Sequence, residues 1–189
     1  SKTLTGSTIT AKCKTRINNL KMNDGKVEVD HSHWMSQLNP ATTIAQLSLP
    51  GTGGSFSYGS DQSGYYKSQT LDFGEQWERG IRAFEIVSSQ RKTSFASEIL
   101  TCNKEDITIG NRNLTVKEVV DSLLNRLAKP NCKETAMAIF TYQSNGWGDN
   151  QDSDSYMQKA MAYFNTISSD KLVLFKPGLT LDEAKGKLM

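Results

Sequence analysis

The chain has 189 residues, with 22 Lys and Arg against 20 Asp and Glu and a formal net charge of +2. Hydrophobic residues at 37% and charged residues at 22% suffice for one packed core, and no apolar stretch approaches the roughly 18 residues a membrane-spanning helix needs. These charges are spread along the chain, so no basic footprint for nucleic acid or anionic lipid stands out.

In chain order, the first thirty residues alternate polar and apolar positions around Asn23-Asp24-Gly25, the signature of a β-hairpin extension. Ile44 to Leu49 reads as a strand running into "SLPGTGGSFSYG", a turn holding Gly51, Gly53, Gly54 and Gly59. "TLDFGEQWERGIRA" carries Leu71, Trp77 and Ile81 at roughly helical spacing and leads into "AFEIV", a second strand over Ala83 to Val87. "NLTVKEVVDSLLNRLAKP" predicts a helix: Val116, Val119, Val120, Leu123, Leu124 and Leu127 form one stripe, Thr115 and Glu118 a capping box, and Pro130 closes the exit.

"TAMAIFTY", Thr135 to Tyr142, is a near-continuous apolar run of the kind a parallel sheet buries on both faces. "DSYMQKAMAYFNTI" predicts a helix with Met157, Ala160, Met161 and Phe164 inward. "KLVLF" reads as a further strand, and "LTLDEAKGKLM" as a short capped turn entering one more. The alternation argues for a mainly parallel α/β fold.

Cys13, Cys102 and Cys132 are widely spaced, with no C-x-x-C pair and no neighbouring histidine, so they read as structural or free thiols. Ser1 opens the chain without a signal-type apolar region, which suits the mature form of an exported protein, whether secreted, periplasmic or at the cell surface.

Four stretches in order, "HWMSQLNPATTIAQLSLPGTGGSFSY", "EQWERGIRAFEIV", "TVKEVVDSLLNRL" and "LTLDEAKGKL", resemble the landmarks of the X domain of bacterial phosphatidylinositol-specific phospholipase C. The resemblance implies an irregular TIM-type barrel with its active site at the carboxyl ends of the strands. It covers 34–189 and leaves 1–33 as a hairpin-like extension. The chain would then supply about the first half of a barrel. A second copy, a partner chain or sequence outside this stretch would supply the rest.

In that family one histidine, within P-G-T-H-D-S, takes the proton of the inositol 2-hydroxyl, and a second protonates the departing diacylglycerol oxygen. An aspartate and an arginine support them. The resemblance sets Gly53 at the first histidine, Gly54 at the adjacent aspartate and Val87 at the arginine. The second histidine would fall within Leu100 to Asn103, where no imidazole exists. Only a carboxylate of the second strand has a counterpart, Glu85, with Tyr142 and Trp147 as aromatic candidates to stack on a sugar face.

Other constellations carry less. "GTGGSF" fits neither phosphate-loop spacing. His31 and His33 would point to one face if they lay on a strand, yet the sequence offers no third metal ligand. Asp149, Asp152 and Asp154 resemble calcium ligands without the glycine and terminal glutamate of an EF-hand loop, and capping explains them equally well. Neither metal nor cofactor is expected. Three functions remain open: a non-catalytic module for a polyol, glycan or lipid head group; a phosphodiesterase using other residues; and an interaction domain that completes a barrel with another chain.

Overall fold

The computed structural model describes residues 21–23, 26–28, 30–59, 68–92, 97–103, 105–106, 108–109, 112–142 and 153–189. The early hairpin pairs β1 (Lys21–Asn23) with β2 (Lys26–Glu28), antiparallel about the predicted turn. The main sheet is parallel at its centre. β3 (Gly51–Thr52) lies beside β4 (Ala83–Lys92), with Thr52 opposite Phe84, and β9 (Met137–Tyr142) flanks β4 on the other side, Glu85 opposite Ile139 and Val87 opposite Thr141.

Beyond Ser88, β4 leaves this core and pairs antiparallel with β5 (Ser97–Asn103), Ser88 opposite Thr101. Three short strands follow: β6 (Glu105–Asp106) on β5, then β7 (Thr108–Ile109) paired with β8 (Arg112–Asn113). Leu188 and Met189 enter the sheet as the capped turn predicted. The Met189 N–H donates to Ala136 O (2.7 Å) and the Val173 N–H to Leu188 O (2.9 Å), so they lie between β9 and the 171–173 segment.

Helices cover one face of this sheet. Helix α1 (Phe73–Glu78) follows Asp72, whose side chain accepts from the Glu75 N–H, and α2 (Val116–Leu127) follows Thr115 in the same reciprocal box with Glu118. Such a cap contributes about 1 kcal/mol. The predicted α2 stripe is the core: Val119, Val120 and Leu123 are fully buried against Phe84 and Ile86 of β4. Phe73 stacks on Phe56 and meets the edges of Trp77 and Phe84, extending that core beneath the glycine turn. Helix α3 (Ser153–Phe164) packs Phe164 against Phe140, and α4 (Leu181–Ala184) carries a capping box from Thr180.

A buried ion pair closes the amino-terminal end of the sheet. Arg82, just before β4, donates from Nε to Glu134 Oε2 (2.9 Å), from one terminal nitrogen to Trp77 O and Ile81 O (2.9 and 2.7 Å), and from the other to Ser32 O (2.6 Å). Its guanidinium lies 3.9 Å from the Trp77 ring centre. Burial raises the Glu134 carboxyl and lowers the Arg82 guanidinium, each opposed by the other's charge. The pair ties the 31–37 turn to the main sheet.

Several expectations are corrected here. Ile44–Gln46 is a 3-10 turn and only Gly51–Thr52 pairs as a strand, because the Ile44 N–H goes to Leu179 O rather than into the sheet. β9 is buried on one face only, with Ile139 48% exposed, since helices cover only the other side. Met157 and Met161 face outward, at 53% and 54% exposure, and Tyr156 and Ala160 fill the inner positions. Of "KLVLF", Leu172 alone bridges into the sheet, and Leu174 is 90% exposed.

Candidate functional site

The glycine turn sits at the carboxyl end of β3, where β/α barrels place their chemistry. Gly54 has φ +53°, the left-handed region that a residue without Cβ enters at little cost. Its N–H donates to Glu85 Oε2 (3.2 Å), and the Thr141 hydroxyl donates to Glu85 Oε1 (3.4 Å). A Cβ at Gly53 would stand 3.1 Å from Glu85 Oε2, so the carboxylate occupies the space a side chain there would need first.

The rest of the turn is held by neutral groups. The Ser55 N–H donates to Glu85 O (2.9 Å), and the Gln69 side-chain amide to Gly53 O (2.8 Å). Below it the Thr52 hydroxyl donates to Gln76 Oε1 (2.7 Å) while Gln76 Nε2 donates to Ser55 O and Leu71 O (2.7 and 2.9 Å). Gln76 is buried with both ends of its amide satisfied, which fixes the loop relative to α1.

Glu85 and Val87 share the face of β4 that points away from the helices, joined there by Thr141 and Ile139 of β9. Tyr142 does not join them. It lies on the helix face, its ring 4.8 Å from that of Tyr156, whose hydroxyl hydrogen-bonds Ser88. The expected pairing of Glu85 with Tyr142 in one cleft is therefore absent, because residues 85 and 142 fall on opposite sides of a sheet whose side chains alternate. Trp147, Asp149 and Asp152 lie outside the described residues, and Asp154 is exposed in the first turn of α3.

His31 and His33 are in a 3-10 turn rather than on a strand. Asp30 caps it, accepting from the Ser32 N–H (3.0 Å) and lying 3.2 Å from His33 Nδ1. That turn is beside Gly80 and Arg82, at the amino-terminal end of β4, so neither imidazole reaches the Gly53 turn. No group of three His, Cys, Asp or Glu among the described residues could hold a metal ion. Cys132 is a free thiol whose pKa is raised by burial. Cys13 lies outside the described residues, and Cys102 is in β5.

Gln69, Gln76 and Thr141 went unnoticed in the sequence. Thr141 carried a usable signal, as the polar alternate between Phe140 and Tyr142, whereas the glutamines meet the turn only through the tertiary fold.

The folded chain matches solved bacterial structures over most of its length. Against phosphatidylinositol-specific phospholipase C of Staphylococcus aureus the identity is 18%, with a TM-score of 0.61 over 84% of this chain and 51% of that one. The chain has a phosphatidylinositol-specific phospholipase C-like fold. A double mutant of the S. aureus enzyme gives a TM-score of 0.64 at 18% identity. The Listeria monocytogenes phospholipase C gives 0.52 at 23%, over 85% of this chain and 56% of that one. This chain thus spans about half the length of the phospholipase C structures it matches. No protein-family profile matches it, and no curated protein does. Within the phospholipase C-like fold the Gly53 turn lies at the carboxyl end of β3, and Glu85 meets it from the adjacent parallel strand β4, one residue beyond their pairing. No described helix is long and apolar enough to cross a membrane.

Proposed function

We propose that this chain is a non-hydrolytic member of the phospholipase C-like group whose Gly53 turn recognises a neutral polyol, such as inositol or a glycan head group. The observation that carries the reading is the Glu85 carboxylate beside Gly53, with hydrogen bonds only from Gly54 and Thr141 and no ion pair among the described residues. In-line attack on a phosphodiester needs a base, an acid and a cation about the phosphorus. The resemblance aligns Gly53, Gly54 and Val87 with such groups, and none of the three can supply them. A phosphate there would meet a like charge, whereas polyol hydroxyls could donate to Glu85 and accept from the Gln69 amide. An exported setting, expected from the sequence, belongs to this reading.

Purified protein incubated with a fluorogenic inositol phosphodiester should release no fluorophore above background. Calorimetric titration should rank inositol above inositol phosphate, with Glu85→Gln weakening the inositol. Turnover abolished by Glu85→Gln would establish the hydrolase alternative, and tighter phosphate binding unaffected by that change would refute the neutral-ligand reading. A second reading rests on Ile139, half exposed on the helix-free face of the sheet. That face suits an interaction domain in which another stretch of polypeptide completes the barrel.

A further inference from the structure

At the amino-terminal end of β9, away from the Gly53 turn, a cup of about 130 Å³ opens between the 31–38 segment and α4. Its apolar lining comes from Met35, Leu38, Pro40 and Leu181. Both walls are fixed. Met35 is buried with its Sδ accepting the Thr135 N–H (3.4 Å), and the Glu134 side chain holds the Ser36 N–H (3.2 Å). On the other side the Leu181 N–H donates to Thr42 O (2.9 Å) and the Asp182 N–H to Pro40 O (3.0 Å). A cup whose backbone walls are held in this way binds with a smaller ordering cost than a loose one.

Three charged groups line the same cup: Lys133, Lys185 and Asp182. Lys185 Nζ sits 2.5 Å from Asp182 Oδ1, so those two charges cancel locally. Lys133 makes no ion pair among the described residues, leaving one uncompensated ammonium beside an apolar floor. The cup is open on one side, and its inner wall of Met35 and Leu181 offers a branched aliphatic group an apolar surface. Apolar surface beside a small number of placed polar groups is the general composition of a small-ligand site.

We infer that this cup binds a small aliphatic monocarboxylate, its hydrocarbon end against Met35 and Leu181 and its carboxylate on Lys133. The ammonium–carboxylate contact is charge-assisted and sets the preference over an uncharged isostere. The site is independent of the Gly53 turn, so its failure would leave the polyol reading untouched.

The test follows the Met35 methyl signal in carbon–proton correlation spectra while sodium 4-methylpentanoate is titrated into the full chain. The expected result is a saturable Met35 shift, with affinity at least about tenfold above that of 4-methylpentan-1-ol, or about 1.4 kcal/mol. Lys133→Gln, at an exposed position, should remove that advantage while the other methyl signals stay in place. N-acetyl-alanyl-leucine separates two sources of the same chemistry. Binding at least as tight as the free acid supports the site with a peptide C-terminus as its natural ligand, and weaker binding supports it with a free acid. Equal affinity for the alcohol, an unmoved Met35 signal, equal competition by inorganic phosphate, or unchanged affinity in Lys133→Gln would overturn the inference.

Discussion

Glu134→Ala should cost this fold a large share of its stability. Glu134 is 1% exposed and Arg82 fully buried, so the substitution strands a guanidinium in a dry site without its counter-charge. The Ser36 N–H loses its acceptor as well. Breaking a buried pair from one side costs about 3–5 kcal/mol. Here the lower end applies, because Trp77 O, Ile81 O and Ser32 O still accept three of the guanidinium's hydrogen bonds. About 3 kcal/mol in a chain of this size lowers Tm by about 6–12 °C. Urea titration followed by tryptophan fluorescence reads the change directly, since Trp77 lies against Arg82. The double variant Arg82→Met with Glu134→Leu should recover much of the loss, because it removes both charges and keeps apolar volume. A single variant within about 1 kcal/mol of the parent, or a double variant no better than the single, would falsify the view that this pair holds the amino-terminal turn in place.

Three further outcomes are expected. Gly80→Ala should cost about 1–3 kcal/mol in denaturation, since Gly80 has φ +90° and a Cβ there would stand 3.2 Å from His31 O; a neutral result would mean the 31–37 turn yields freely. Gly53→Ala should displace the tip of Glu85 and speed hydrogen exchange at the Gly54 amide, at a stability cost under about 1 kcal/mol; unchanged exchange there would count against Glu85 as the loop's anchor. Asp30 is held below the ordinary carboxylate range, first by the Ser32 hydroxyl and also by His33. A depressed folded-state value stabilises above the ordinary carboxylate pKa and is lost as pH falls through the folded one, so Ser32 and His33 amide exchange should rise below about pH 4. Asp30→Asn should keep a cap but abolish that dependence, and persistence of the pH effect in the variant would exclude Asp30 as its source.

What the sequence determined by itself is whatever local periodicity and capping decide. The α2 stripe from Val116 to Leu127, its Thr115–Glu118 box, the hairpin about Asn23 and the capped turn at Thr180 are all short-range, and each stands where its pattern put it. The ordered stretches from Trp34 onward also pointed to the phospholipase C-like fold, because four of them in one order are far more specific than any single one. Tertiary packing alone decided the rest. An apolar run such as Thr135 to Tyr142 is compatible with burial on two faces or one, and only the one-sided helical cover leaves Ile139 exposed. Nothing in "TIAQLS" tells Ile44 to give its N–H to Leu179, more than a hundred residues away, in place of a neighbouring strand. The candidate site divides the same way. Glu85 was named from its matched position alone, while its contact with Gly54 and the turning of Tyr142 to the far face arise from strand register, a long-range quantity in which one residue's shift exchanges the two sides of a sheet, and Gln69 and Gln76 reach the turn only through the docking of α1 and the segment before it.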